Sequence, residues 1–251
     1  RFNCGMRQGS DVKKTRLGFI AFLSRTRETY REKGIYYVAR AGIIRLFWHG
    51  YYRIKYGEMS RSDRFTFQRN TYSYFSHDYN RTWTNERTIE VPVVWNIVRG
   101  YEGKRILEVG NVLAHYFPVV HDVLDKYEEA PGVINQDVVD FRSAVKYDLI
   151  VSISTLEHVG WDEQPRDPAK TLAAVENLKR CLAPQGKIVV TLPLGHNHAL
   201  DRLLEEGKIP FVEQHYFKRI SMDNKWIQVD GCELGKAKYE YPFPGANQLT
   251  I

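Results

Sequence analysis

Hydrophobic positions beyond residue 100 are grouped in short runs that longer amphipathic stretches separate. The runs are rich in Val and Ile and occupy residues 105–109, 119–124, 148–153 and 187–192. Short β-branched runs predict buried strands, and their alternation with helical stretches predicts parallel strands joined by right-handed crossovers. The clearest helix is AKTLAAVENLKRCLAPQGK, which Pro184 and Gly186 end. Residues 101–251 are therefore expected to form one α/β domain.

Residues 1–60 show a different pattern, in which aromatic and aliphatic residues recur near helical spacing with arginines and lysines between them. No acidic residue occurs from Lys33 to Gly57. The pattern predicts a basic, aromatic helical extension. Its residues 34–57 either pack on the main domain with solvated arginines, or lie on an anionic membrane surface or another polyanionic partner. A nucleic-acid surface ranks third, because the rest of the chain has no matching basic tract.

Residues 61–100 lead from this extension into the α/β domain. They are aromatic and polar at first and become apolar towards residue 95. The stretch 85–87 is expected to open a helix, which Pro92 joins in its first turns or kinks. The sequence thus predicts three segments, at 1–60, 61–100 and 101–251.

Charge is unevenly distributed between these segments. Residues 1–60 hold 13 Lys and Arg against 4 Asp and Glu, whereas residues 61–251 hold 23 against 26, so the net charge of +6 belongs to the extension. Three scattered cysteines without a C-x-x-C pair favour neither a disulfide framework nor a zinc cluster, and a reducing cytoplasm is expected. No apolar stretch approaches the ~18 residues of a membrane span, so we expect any membrane contact to be peripheral. Nothing in the sequence indicates an oligomeric state.

Candidate chemistry lies at the carboxyl ends of the predicted strands, where open α/β sheets bind ligands. Gly110 follows the first strand and lets backbone approach a ligand, and Asn111 tolerates unusual dihedrals. Asp125, after the second strand, is placed to accept hydrogen bonds from two ribose hydroxyls. Asp137 and Val138, after the third, suit an adenine amino group and one face of its ring. An acid at a strand end is more often a helix cap, so the prediction depends on the ordered set.

Five motifs follow one another between residues 104 and 194, and they carry a resemblance to a known family. They are ILEVGN, VLDKYE, NQDVVDF, YDLIVSISTLEHVG and LKRCLAPQGKIVVTLPLG. In this order and spacing they resemble the motifs of class I S-adenosylmethionine-dependent methyltransferases. The resemblance implies a Rossmann-like doubly wound sheet of seven strands, mostly parallel with an antiparallel final strand. It also implies S-adenosylmethionine as cofactor and S-adenosylhomocysteine as product, with NKWIQVD and NQLTI supplying the final antiparallel pair.

The same resemblance implies roles for individual residues. Glu108 would meet the methionine end of the cofactor together with the glycine turn, and Ser152 would lie near the cofactor's amino group. Arg87 is a further candidate, which would pair with the cofactor's carboxylate from the lead-in helix; otherwise it is a surface arginine. The cofactor-binding candidates, in chain order, are Arg87, Glu108, Gly110, Asn111, Asp125, Asp137, Val138 and Ser152.

Two positions depart from the family pattern. Val112 and Ala114 stand where the second and third glycines of the first motif would be, and side chains there are expected to crowd the methionine moiety. The usual P-G-G after the long helix is Pro184-Gln185-Gly186, which is a tolerable change of turn.

A methyltransferase that acts on a hydroxyl group needs a base near the acceptor. His158 follows the fourth strand and is one candidate, with Glu157 beside it; the alternative is a structural histidine that holds the strand-to-helix turn. His196 and His198, two residues apart after the fifth strand, are the better candidates, with a solvated loop as the alternative. His196, His198 and Asp201 find no second cluster to complete a metal site, so no metal is predicted.

The acceptor is bounded by what the sequence lacks. No N-P-P-Y-like stretch follows the fourth strand, which disfavours methylation of base or amide nitrogen. O-methylation of a small molecule, a sugar or a lipid-linked glycan fits better, and the basic aromatic extension modestly favours an acceptor at a membrane surface.

Two rival functions come from other classes. One is a non-catalytic methyltransferase-like binding module, which the impoverished first motif motivates as an alternative to the enzyme. A nucleotide-sugar or NAD oxidoreductase ranks lower, because it needs a fuller G-x-G-x-x-G with an acid ~20 residues further on, and Asp125 comes sooner. The oxidoreductase alternative also leaves LEHV unexplained.

Overall fold

The computed structural model describes residues 50, 63–209, 211–231 and 237–251, and those from 63 onward belong to one compact unit. The predicted basic extension at 1–60, including the candidate membrane-contacting segment 34–57, lies outside the described residues apart from Gly50. No helix in the described ranges is long and apolar enough to cross a membrane. The division of the chain into three segments stays a prediction.

Helices and strands alternate along the described residues. The strands are β1 Arg64–Phe67, β2 Asn70–Ser73, β3 Ile106–Val109, β4 Asp122–Leu124, β5 Val133–Ile134, β6 Tyr147–Ile153, β7 Leu182–Pro193, β8 Tyr216–Arg219, β9 Trp226–Val229 and β10 Gln248–Thr250. The α-helices are α1 Arg87–Arg99, α2 Lys170–Cys181 and α3 His198–Glu205. Short 3₁₀ turns lie at Tyr79–Thr84, Leu113–His115 and Leu156–His158.

The main sheet has the strand order β5-β4-β3-β6-β7-β10-β8-β9. Strands β5 to β7 in this order are parallel, and β10 pairs antiparallel with both β7 and β8. The chain order reverses between β3 and β6, which is the switch point where ligands bind in such sheets. The prediction of a doubly wound, mostly parallel α/β sheet with an antiparallel final strand is confirmed.

Both faces of the sheet are covered, and the side chains of β6 alternate between them. Leu149, Val151 and Ile153 pack with apolar residues of α1 on one face. Ile150 packs with apolar residues of α2 and α3 on the other. All four side chains are fully buried. The central strand is thus enclosed on both sides, as its continuous apolar sequence predicts.

Three details differ from the sequence predictions. Neither the connection from β3 to β4 nor that from β4 to β5 contains an α-helix. The first holds the 3₁₀ turn Leu113–His115, and the second is a short loop. The sheet has eight strands rather than seven in the described ranges, since Tyr216–Arg219 forms a strand that the sequence did not reveal. NKWIQVD and NQLTI do form strands, but each pairs with this additional strand instead of with the other.

The lead-in segment packs against the far end of the sheet. The hairpin β1–β2 and helix α1 bury Phe65, Phe67 and Ile89 against Phe217 of β8 and Leu249 of β10. Helix α1 begins at Arg87, as predicted, and contains Pro92 as its sixth residue without ending there. This packing fixes the amino end of α1 beside the carboxyl ends of the central strands.

Candidate functional site

A pocket of about 600 Å³ opens at the carboxyl ends of β3, β4 and β5 and beside the turn after β6. A volume of this size is in the range of small-molecule and cofactor sites. Its lining comprises Val109, Gly110, Leu124, Asp125, Lys126, Tyr127, Glu128, Gln136, Asp137, Val138, Thr155, His158, Val159, Asp162 and Glu163. Of the predicted cofactor residues, the pocket therefore brings Gly110, Asp125, Asp137 and Val138 together.

The turn after β3 requires glycine at position 110. Gly110 has φ +87°, a left-handed conformation that favours glycine. A Cβ added there would lie 2.2 Å from the side-chain oxygen of Thr155. The missing side chain thus lets the β3 turn and the β6 turn approach each other at the floor of the pocket.

Glu108 is fully buried and braces this turn from within the protein. Its Oε1 accepts hydrogen bonds from the backbone N–H groups of Val112 (2.9 Å) and Leu113 (2.7 Å). Its Oε2 lies 2.9 Å from Nε2 of His121. The carboxylate is not part of the pocket lining, so its predicted contact with the cofactor stays a prediction, and its observed contacts support the loop.

Val112 and Ala114, which replace the missing glycines of the first motif, do not line the pocket. Val112 packs against the buried cluster under α1, and Ala114 is exposed. The crowding expected at these two positions is therefore not seen in the pocket wall.

Asp125 holds the loop that follows β4. Its Oδ1 accepts from the backbone N–H groups of Tyr127 (2.8 Å) and Glu128 (2.7 Å), and its Oδ2 accepts from that of Asn111 (3.1 Å). The Asn111 side chain donates to Oε1 of Glu128 at 2.9 Å, whereas its buried Oδ1 has no hydrogen-bond partner in the described part of the chain. Asp125 retains one acceptor site on Oδ2, because each carboxylate oxygen accepts about two hydrogen bonds.

Asp137 belongs to a four-membered ionic cluster at the pocket wall. Lys126 and Lys170 each donate to its Oδ2, at 2.8 and 2.6 Å, and both ammonium groups also contact Glu163. Burial raises the pKa of Asp137, but the hydrogen bonds from the two lysines outweigh it and bring the pKa to about 2. Sequence reasoning missed Lys126, although it lies in the VLDKYE motif, and it missed Lys170 and Glu163, which are more than 25 residues from Asp137 and match no motif.

Val138 is buried beside this cluster and forms an apolar wall with Val109, Leu124 and Val159. The pocket thus combines an apolar surface with a rim of carboxylates. Such a combination suits a planar heterocycle that carries polar substituents at its edge.

Ser152 and Arg87 lie near the pocket but do not line it. Ser152 is 0% exposed, and its hydroxyl has no partner among the described residues. Arg87 donates to the backbone oxygen of Ile153 at 2.8 Å and lies 3.3 Å from Oε2 of Glu90, so that it ties α1 to the end of β6. Burial lowers the pKa of Arg87, but Glu90 and other nearby carboxylates outweigh it, and the net shift is upward. Their cofactor roles stay predictions.

The three candidate histidines separate into a pair and an outlier. The His158 and His196 rings lie 4.8 Å apart, centroid to centroid, and Nδ1 of His158 lies 2.6 Å from Oδ2 of Asp162. Nε2 of His196 lies 3.7 Å from Oδ1 of the same carboxylate. His198 begins α3, with a side chain that is 73% exposed, and contacts Asp201 at 3.9 Å. The predicted pair of His196 and His198 is therefore replaced by His196 and His158.

Buried acids lie behind this pair. Glu157 is 1% exposed, and neither carboxylate oxygen has a hydrogen-bond partner in the described ranges, although Oε1 lies 3.5 Å from Nε2 of His158. Burial raises the pKa of Glu157 well above its usual value. Glu90, also fully buried, accepts from the hydroxyls of Ser154 and Thr191. Sequence reasoning named Glu157 only as the neighbour of His158 and did not find Asp162.

Comparison with known proteins finds no family model that matches the chain and no match among curated proteins. Among solved structures, the chain is similar to the N-methyltransferase NodS from Bradyrhizobium japonicum in complex with S-adenosyl-l-homocysteine (17% identity, 53% of this chain, 82% of that chain, TM-score 0.36). It is also similar to an S-adenosylmethionine-dependent methyltransferase from Clostridium acetobutylicum (12% identity, 80% and 96%, TM-score 0.34). A third is the sugar N-methyltransferase KedS8 from Streptoalloteichus (14% identity, 71% and 94%, TM-score 0.33). Identities and TM-scores this low do not indicate a function, so the function is inferred from the residues that line the pocket.

Proposed function

We propose that the protein is an S-adenosylmethionine-dependent methyltransferase that acts on a small-molecule acceptor. The observation that carries this proposal is the pocket of about 600 Å³ at the sheet's switch point, where the turn at Gly110, an acid after β4 and an acid beside an apolar residue after β5 line one space. A nucleoside has the matching chemistry, with hydroxyls on the sugar and an amino group on a planar ring. A single acid or glycine would not support this assignment.

Residues in the pocket wall and in the glycine turn beside it fit such a cofactor in three respects. The apolar wall at Val138 suits one face of the adenine ring. Asp125 keeps one acceptor site for a ribose hydroxyl, beyond the three backbone N–H groups that it already binds. The buried, unpartnered Oδ1 of Asn111 is a further acceptor beside the glycine turn, because buried polar groups are nearly always hydrogen-bonded.

Asp137 can bind the adenine amino group through only one of its two carboxylate oxygens. Its Oδ2 already accepts from Lys126 and Lys170, whereas its Oδ1 accepts only a longer hydrogen bond of 3.2 Å from the backbone of Val139. Oδ1 therefore has the capacity for one more donor. In this proposal the lysines hold the carboxylate ionised and in place.

S-adenosylmethionine, when bound, supplies a methyl group on a sulfonium sulfur, which leaves as a neutral thioether when the acceptor's electron pair forms the new bond. The chain's contribution is to align the acceptor and exclude water. His158 and Asp162 line the pocket and His196 lies beside them, so these side chains are placed to orient the acceptor or take up its proton. His198, on the surface, is less suited to this role.

The finer part of the proposal is O-methylation of a small molecule, a sugar or a lipid-linked glycan. Access to a lipid-linked acceptor would depend on residues 34–57 and an anionic membrane surface. Flotation of the full chain with anionic and with neutral vesicles tests this part. Binding to anionic vesicles alone is expected, and equal absence from both would contradict it.

Calorimetric titration with S-adenosylhomocysteine tests the proposed function and separates it from the oxidoreductase alternative. We expect the wild-type chain to bind, and the Asp125→Ala variant to bind at least about 10-fold more weakly, because it loses a charge-assisted acceptor. Asp140→Ala, a substitution of an exposed aspartate outside the pocket lining, is the matched control and should bind like wild type. No binding by the wild type at high ligand concentration would sink the proposal, and full affinity in Asp125→Ala would refute the ribose assignment.

A non-catalytic binding module would also bind the product, so turnover separates that rival from an enzyme. The assay offers S-adenosylmethionine together with a panel of sugars and small alcohols and measures the release of S-adenosylhomocysteine. An enzyme is expected to transfer the methyl group to at least one acceptor and to release S-adenosylhomocysteine. Binding without release across the panel would favour the binding module.

A further inference from the structure

We propose that His158, Asp162 and His196 form a site for a divalent transition-metal ion, with Zn²⁺ the best-matched ion, at the edge of the pocket. One ligand atom from each of the three side chains lies within 4.8 Å of the other two. Ligand atoms around Zn²⁺ at about 2.1 Å lie roughly 3.4 Å apart in a tetrahedron, so small side-chain rotations would close the set. Two of the three residues come from the turn after β6 and the third from the loop after β7.

The first support for the site is an unpaired imidazole nitrogen. Nε2 of His196 is buried and has no hydrogen-bond partner among the described residues. The nearest carboxylate oxygen, Oδ1 of Asp162, lies 3.7 Å away, which is too long for a hydrogen bond and suitable for two ligands of one ion. A metal ion between these two atoms would satisfy both.

The second support comes from Glu157, on the other side of the His158 ring. Its carboxylate is 1% exposed and has no hydrogen-bond partner in the described part of the chain, yet Oε1 lies 3.5 Å from Nε2 of His158. Histidines that bind metals usually donate their second ring N–H to a carboxylate, which fixes the tautomer and the ring orientation. Nδ1 of His158 lies 2.6 Å from Oδ2 of Asp162, and Nε2 faces Glu157 at 3.5 Å. An ion bound at Nδ1 in place of this hydrogen bond would leave Nε2–H directed towards Glu157, which is the arrangement expected for a metal-bound histidine.

The donor set indicates the class of ion. Two imidazole nitrogens and one carboxylate oxygen suit Zn²⁺ and related first-row ions, whereas Ca²⁺ and Mg²⁺ prefer oxygen ligands. Three protein ligands leave a fourth position open, as in catalytic zinc sites. His158 and Asp162 line the pocket, so the open position faces the space where an acceptor would bind.

A role in catalysis rests on the proposed function. A hydroxyl oxygen bound at the open position would lose its proton to solvent water more readily, because a zinc ion lowers the pKa of a bound hydroxyl or water. The proton leaves as hydronium, and the oxygen keeps the electron pair that forms the new bond to carbon. The two histidines would then act on the acceptor through the ion, and not as bases.

Zinc titration of the full chain, after treatment with a chelator and in the presence of a competing chelator, tests the site without any turnover. We expect one Zn²⁺ per wild-type chain. His196→Ala and Asp162→Asn should each bind at least about 10-fold more weakly, and Glu157→Gln about 10-fold more weakly through its effect on His158. His198→Ala is the matched control, because His198 is two residues from His196 but does not belong to the set and has an exposed side chain, and it should keep wild-type zinc affinity.

Two outcomes would overturn the metal site. One is a wild-type chain that binds no zinc; the other is His196→Ala and Asp162→Asn binding zinc as wild type does. Asp162 has a side chain that is 50% exposed, so Asp162→Asn is expected to fold even if His196→Ala does not. S-adenosylhomocysteine affinity is measured on the same samples. Zinc binding with the expected variant pattern but no binding of S-adenosylhomocysteine would leave the metal site standing and reject the methyltransferase proposal alone.

Discussion

The strand-end region has two halves that differ in how their buried charges are paired. In the half after β3 to β5, Glu108, Asp125 and Asp137 each accept two or three hydrogen bonds from backbone N–H, imidazole or ammonium groups. In the half after β6 and β7, Glu157 and Nε2 of His196 have no hydrogen-bond partner within the described residues. Because unpaired buried polar groups cost free energy, the three carboxylates of the first half are explained by the fold, whereas Glu157 and His196 of the second half point to a ligand.

The largest effect is expected from a substitution at Gly110, where the turn after β3 lies closest to the turn after β6. Gly110→Ala would place a Cβ 2.2 Å from the Thr155 side-chain oxygen at a φ of +87°. We expect the free energy of unfolding to fall by about 3 kcal/mol and the affinity for S-adenosylhomocysteine to be lost. Urea denaturation and calorimetry measure the two effects.

Gly103→Ala is the control for backbone strain alone. Gly103 has φ +78°, but an added Cβ would have no heavy atom within 4 Å. The control is expected to lose about 1 kcal/mol and to keep cofactor affinity. Equal losses in the two variants would show that the close approach to Thr155 does not matter.

The difference between the two halves can be tested by substituting one buried glutamate in each, Glu108 in the first and Glu157 in the second. Glu108→Gln should lower the free energy of unfolding by about 2 kcal/mol, because Glu108 accepts from two backbone N–H groups and pairs with His121. Glu157→Gln should raise it by about 1 kcal/mol in the metal-free protein at neutral pH, because burying this unpartnered carboxyl group costs free energy whether it stays charged or takes up a proton, and a neutral glutamine avoids that cost. Denaturant unfolding of both variants gives the comparison.

The pH dependence of stability gives a second test of the buried Glu157 carboxyl group. The pKa of Glu157 is raised by burial, so the folded state binds the proton more tightly than the unfolded state. Wild-type stability is therefore expected to fall as pH rises above the usual glutamate pKa, and Glu157→Gln should not show this fall. A Glu157→Gln variant that is destabilised like Glu108→Gln would mean that Glu157 has a partner inside the fold.

These contrasts also show what the sequence could and could not predict. The parallel strands and the strand-end acids were predicted, because β-branched runs and the order of the motifs are local features. The three hydrogen bonds that Asp125 accepts from backbone N–H groups, and the lysines around Asp137, could not be predicted, because they depend on how loops fold back on the strands. The partnership of His158 with Asp162 had a weak signal in their spacing of four residues.

A smaller effect is expected from the ionic cluster at Asp137. Two lysines bring its pKa to about 2, so this carboxylate stabilises the fold above the usual aspartate pKa, and the stabilisation is lost as pH falls from about 4 to about 2. Asp137→Asn should be less stable than wild type at neutral pH, and the difference should shrink through this window. Thermal melts across the acid range test this, and a constant difference would show that the two lysines do not set the pKa.

The structure of the full chain with bound S-adenosylhomocysteine, soaked with Zn²⁺, tests the account most directly. We predict the nucleoside in the pocket lined by Gly110, Asp125 and Val138, and the ion between His158, Asp162 and His196. The nucleoside would use the remaining acceptor capacity of Asp125 after β4. The ion would pair the unpartnered Nε2 of His196 and orient His158 against Glu157. S-adenosylhomocysteine bound away from this pocket, or absent from the crystals at saturating concentration, would contradict the account.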